Sequence, residues 1–202
     1  MLMCTIEELR GLHADALADC GGLVDLAAKA DPRLPTPCGD WDLTALLAHM
    51  IGQNEGFAAA VEHGDADQSA YEPPPISPPT LTVTWAASAD RLRAAFARAD
   101  PDARVKLAEQ GMRVTVARAL QMQLLDSAVH AWDVATALGL PYRPSAEIAE
   151  LVLASAREIA ARPGGAPGVF AAPRAEAGGD PWSDALRLLG RDPVPPVTPA
   201  TP

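Results

Sequence analysis

Residues 123–133, QLLDSAVHAWD, set Gln123, Asp126, His130 and Asp133 among leucines, valines and alanines. An α-helix advances about 100° per residue. With Asp126 taken as zero, His130 lies near 40°, Asp133 near −20° and Gln123 near 60°. The four form one polar line, flanked by Leu120, Leu124, Leu125, Val129 and Val134. A carboxylate and an imidazole four residues apart on one helix can share a divalent ion, as the two histidines of H-E-x-x-H helices do. Such donors suit zinc, nickel, iron or manganese. Two bland readings stand beside that one. The line is a solvated face, although Arg118 is the only basic residue on this helix; or His130 is a core histidine hydrogen-bonded to Asp126.

A metal reading needs a third ligand, and the chain has three other histidines. His63 adjoins the helix-stopping Gly64 and reads as exposed. His13 sits among acidic neighbours and reads as surface. His49, in LLAHMIGQ, lies at the edge of an apolar helical face with Gln53 one turn on, and is the best candidate by pattern. A structural histidine stays open there. Gln53, Gln123 and Asp133 are placed beside the ligands as supporting groups, and Asp133 is expected to reach His130 only through a bend or a water. Trp41 reads as an anchor for the loop before His49, and Trp132 as packing. Cys38 lacks a nearby lysine or histidine in sequence and reads as a packed or loop cysteine. Arg91, Arg93, Arg98 and Arg113 are unranked candidates for contact with an anion.

The elements that must hold these residues are helical. Thr5-Ile6-Glu7-Glu8 is a capping box opening a helix that the pattern carries to Ala30. DPRLPTPCGDW (31–41) breaks it. Asp42 caps a second helix ending at Gly64. Residues 65–79 read as loop because of their prolines. A third helix is predicted over 80–99. Segment 100–114 is either a short strand or an extended crossing. Thr115 caps a fourth helix to about Leu138, and Ser145 opens a fifth. PWSDALRLLG is a short sixth, with Pro181 near its start and Gly190 after it. The reading is all-α: a four-helix bundle with a short C-terminal helical extension, one domain over 1–190, and a Pro-rich disordered tail over 191–202.

Composition excludes several classes. The chain has 202 residues, 49% of them hydrophobic, with a net charge of −10 and no Lys/Arg cluster. That disfavours nucleic acid and anionic membranes as partners. No signal peptide or spanning apolar run is visible. Three widely spaced cysteines make neither a disulfide framework nor a CxxC motif, so the expected compartment is a reducing cytoplasm. A di-iron bundle lacks its Glu-x-x-His pairs; haem and nicotinamide motifs are absent. A homodimer is permitted and nothing demands it.

Two segments carry a resemblance. PTPCGDWDLTALLAHMIG (35–52) is similar to the TPC-x-x-W-x-x-x-x-L-x-x-H segment of the DinB-like, mycothiol-dependent maleylpyruvate isomerase superfamily. DSAVHAWDVATALG (126–139) resembles its H-x-W-D-x-A-x-A-x-G segment, with an acidic residue four before the histidine. GVFAAP and DALRLLGRDP resemble the C-terminal end of its short actinobacterial metal-binding members. The resemblance implies a DinB-like four-helix core holding one divalent ion through His49, Asp126 and His130. Where the isomerase is usually written with Glu, this chain has Asp126, one methylene shorter. The implied chemistry is a low-molecular-weight thiol, mycothiol foremost, activated at the metal for transfer or for cis–trans isomerisation of a small molecule. Two other functions stay open: a metal-binding bundle with a hydrolytic, lyase or cyclase role, and a non-catalytic stress-response binding protein.

Overall fold

In the computed structural model, the described residues are 4–163, 166 and 169–193. By contact the chain divides into two compact units, split between Pro144 and Ser145.

The first unit is built on four long helices, α1 (Ile6–Ala27), α2 (Leu43–His63), α3 (Pro78–Arg98) and α4 (Val116–Ala137). Each packs on two others: α1 on α4 and α3, α2 on α3 and α4. The caps read from sequence are formed. Glu8 N–H donates to Thr5 Oγ1 while Glu8 Oε2 accepts from Thr5 N–H at 2.7 Å. Asp42 accepts from Ala45 N–H at 2.8 Å and Thr115 from Arg118 N–H at 3.2 Å. Gly64, at φ +78°, ends α2 in the left-handed conformation that glycine adopts without steric cost.

Three boundaries differ from the sequence reading. α1 stops at Ala27 and continues to Ala30 only as turn. α3 starts at Pro78, because proline's missing N–H is harmless in the first turn of a helix. The supposed loop 65–79 also contains a 3₁₀ turn, Gln68–Tyr71. The ambiguous segment before α4 is an antiparallel hairpin, β1 (Arg104–Leu107) and β2 (Met112–Thr115), with Val105 opposite Val114. Val105 and Leu107 point inward.

The helix α4 is buried nearly all round: Leu120, Leu124, Leu125, Ala128, Val129, Ala131 and Val134 are core, and so are Gln123, Ser127, His130 and Asp133. This disposes of the solvated-face reading and explains the scarcity of charge on the helix. The 3₁₀ turn lies directly on α2 because of Gly52 and Gly56. A Cβ on Gly56 would fall 2.3–2.5 Å from the Tyr71 ring, and one on Gly52 2.5 Å from Tyr71 O.

The second unit pairs α5 (Ala146–Ala160) with α6 (Pro181–Leu188), capped by Ser145 and Asp180. Asp184 accepts from the backbone N–H groups of Ala177 and Gly178. Of the expected disordered tail, Arg191 is buried, its N–H donating to Leu186 O at 2.9 Å and its guanidinium lying 5.5 Å from the Phe170 ring centroid. Residues 194–202 lie outside the described residues. No described helix is long and apolar enough to cross a membrane.

Candidate metal centre

The four-helix unit brings His49 on α2 to Asp126 and His130 on α4. The donor atoms of the three all lie within 4.8 Å of one another. His130 Nε2 is 3.5 Å from Asp126 Oδ1. The His49 and His130 rings meet edge to face, with centroids 5.3 Å apart and planes at 83°. Trp41 also lies against His49, at 4.7 Å between centroids with the planes tilted by 46°. The Trp41 loop is held in place: Thr36 Oγ1 donates to Trp41 O at 2.8 Å, Leu43 N–H to Leu34 O at 2.9 Å, and Thr44 N–H to Pro32 O at 3.0 Å.

Asp133 touches His130 directly. Its Oδ2 lies 3.0 Å from His130 Nδ1, without bend or water, which corrects the sequence reading. Helical side chains tilt toward the N-terminus, so a residue three positions on reaches back over its predecessor. Asp133 is fully buried. The carboxylate at Nδ1 fixes the ring with Nε2 facing Asp126, the arrangement by which metal-bound histidines are oriented.

Cys38 joins the same cluster. Its Sγ is 3.0 Å from Asp133 Oδ2 and 3.8 Å from His130 Nδ1. The sequence reading missed this because the histidine is 92 residues away. The available signal was that Cys38 and His49 share one short segment at the mouth of α2.

Electrostatics separate the two histidines. Burial disfavours charge on His130, but Asp126, Asp133 and the Cys38 sulfur outweigh it and hold its pKa well above the usual histidine value. Burial pushes His49 down; Asp126 opposes this and His130 adds to it. The surroundings thus bias His49 toward its neutral form and His130 toward its charged form.

The remaining candidates are placed elsewhere. Gln53 Nε2 donates to Glu109 Oε2 at 2.6 Å, and Gln123 Nε2 to Asn54 Oδ1 at 2.9 Å. His13 is not a surface residue: it is 1% exposed, edge-on to Phe96, with no partner for Nε2 among the described residues. His63 is exposed. Arg91 pairs with Glu55 and Glu62, Arg93 with Asp90, and Arg113 with Asp65.

The donor set fits a divalent ion. Two imidazoles and a carboxylate converge, and one imidazole has its far nitrogen fixed by a buried acid. A family model of the mycothiol maleylpyruvate isomerase N-terminal domain matches residues 13–135, well over half of the chain. The chain belongs to that family. The matched span contains His49, Asp126, His130, Cys38 and Asp133, and ends just beyond the last of them. No curated protein and no solved structure matches the chain.

Proposed function

We propose that this member of the mycothiol maleylpyruvate isomerase N-terminal domain family holds one divalent cation, zinc first among the candidates, through His49, Asp126 and His130. We propose further that it activates a low-molecular-weight thiol there, mycothiol being the thiol in the family's name, for transfer to or isomerisation of a small electrophile. Activated alkenes, epoxides and halides are the matching substrate classes, and a reducing cytoplasm the matching compartment.

The observation that carries the reading is the charge of the donor set. Two neutral imidazoles and one carboxylate leave one positive charge of a divalent ion uncompensated in a site whose His130 is buried and whose His49 and Asp126 are half-buried. An anionic fourth partner removes that cost, and a thiolate is such a partner. When bound, the cation supplies Lewis acidity that makes a thiol ionise near neutral pH, so that no protein base is needed.

The chain's own residues prepare the site. Burial favours the neutral, ligand-ready form of His49. With a cation bound, Asp133 would accept the remaining His130 proton at Nδ1 and leave Nε2 to the ion.

The test is metal content by mass spectrometry on untagged protein, beside thiol-dependent turnover of an activated alkene. About one equivalent of metal is expected in the wild type. It should be lost in His49→Ala, Asp126→Ala and His130→Ala while helical circular dichroism persists, and turnover should need both metal and thiol. A wild type that stays empty after incubation with zinc, nickel, iron and manganese overturns the metal reading. A loaded protein that turns over without thiol, or not at all, overturns the thiol reading.

A further inference from the structure

His130 has two faces, and the proposed centre uses one. Nε2 looks toward Asp126. Nδ1 looks toward Asp133 Oδ2 at 3.0 Å and Cys38 Sγ at 3.8 Å, and Sγ is 3.0 Å from the same carboxylate oxygen. Cys38, His130 and Asp133 thus form a second convergent triad, again with every donor atom within 4.8 Å of the others. His130 and Asp133 are buried, whereas Cys38 lies half-buried on the loop before α2.

We infer that Cys38, His130 Nδ1 and Asp133 are a second cation site, selective for thiophilic divalent ions such as cadmium and zinc, and that it and the His49–Asp126–His130 site exclude one another.

Selectivity follows from the donors. A thiolate favours soft and borderline ions over manganese and magnesium, while the first site offers only nitrogen and oxygen. Charge follows as well. Thiolate and carboxylate together neutralise a divalent ion, so this site, unlike the first, needs no further anion to be comfortable in the interior. On binding, the Cys38 proton leaves to solvent and a metal–sulfur bond replaces the S–H bond; no oxidant or reductant is involved.

Exclusion follows from the ring. A neutral imidazole has one lone pair. If Nδ1 takes the ion, the ring proton sits on Nε2 and faces Asp126 Oδ1, 3.5 Å away. If Nε2 takes it, the proton sits on Nδ1 and faces Asp133. Each carboxylate is a ligand in one state and a hydrogen-bond acceptor in the other. An ion on the sulfur side is self-neutralised and disarms the first site for thiol activation; that consequence rests on the function proposed above, whereas the sulfur site itself does not.

The experiment uses the full-length chain stripped of metal, with Cys4→Ser as the background so that an outlying thiol does not contribute. Cadmium titration is followed by the near-ultraviolet sulfur-to-cadmium band, and manganese binding by electron paramagnetic resonance. About one equivalent of cadmium should bind with the band. Cys38→Ser and Cys38→Ala should both abolish the band yet keep manganese binding, and His49→Ala should keep the band yet lose manganese. In the unsubstituted triads, cadmium should release manganese one for one. Absence of a Cys38-dependent band, with circular dichroism showing a folded protein, overturns the sulfur site. Manganese that stays bound while the band saturates overturns the exclusion. A protein that shows the cadmium band but never binds manganese, nickel or iron overturns the first site and leaves the second standing.

Discussion

Asp133 receives hydrogen-bond donors from two directions, the Cys38 thiol and the His130 ring, without any exposure to solvent. Asp133→Asn keeps the shape and removes the charge that holds the Nδ1 proton. Metal affinity, measured by chelator competition, should fall about 10–100-fold. An unchanged affinity would mean that ring orientation is set by packing alone. His13 tests a different kind of burial. Burial first, and the Arg93 charge second, push its pKa down to about 3. In the unfolded chain a histidine titrates near 6.5. Between those values the unfolded state holds more protons, so stability is complete above about pH 6.5 and drains away as pH falls toward about 3, by up to about 4–5 kcal/mol. His13→Leu should flatten the wild-type dependence of unfolding free energy on pH across that window in metal-free protein. A parallel pair of curves would show that His13 is protonated or solvated in the native state.

At the scale of elements, α2 must do two jobs along one length. Its first turns place His49, and its later turns receive the 3₁₀ turn through Gly52 and Gly56. Gly56→Ala should cost roughly 1–3 kcal/mol, read from the denaturant midpoint, because the new methyl group meets the Tyr71 ring and one of the two must shift. A neutral result would mean that the turn is free to lift away. The helix α4 shows what pattern can and cannot reveal. Its start was legible because Thr115 is a good cap, and its polar line because 3.6-residue periodicity is exact enough over three turns. The direct Asp133–His130 contact was not legible, since a helical wheel records angle and ignores the tilt of side chains along the axis. Cys38 was hidden for another reason: its partners lie 92 and 95 residues on, and only its nearness to His49 in sequence hinted at them. His13 was misread because its acidic and alanine neighbours describe the flanks of α1, not the face that meets Phe96.

Across the whole molecule, a buried row of polar groups crosses three helices. Gln123 Nε2 donates to Asn54 Oδ1, Asn54 Nδ2 to Ser88 Oγ at 3.1 Å, and Ser88 Oγ to Trp85 O at 2.9 Å. Trp85 O is a carbonyl and can only accept, so the direction of every bond in the row is fixed from that end. Neither the Gln123–Asn54 pairing nor its direction could be read from sequence, which placed Gln123 beside the metal ligands instead. The row matters as engineering tolerance. Gln123 stands one turn before Asp126 on α4, and Asn54 stands five residues after His49 on α2. A slip of α4 past α2 by a single residue would move a ligand by about 1.5 Å, whereas metal–ligand distances admit about 0.2 Å. Apolar packing accepts many near-equivalent registers; a buried amide that must find one particular oxygen accepts very few. The Asn54–Gln123 bond is thus a dimensional gauge, setting the spacing of the proposed metal centre from outside its donor set.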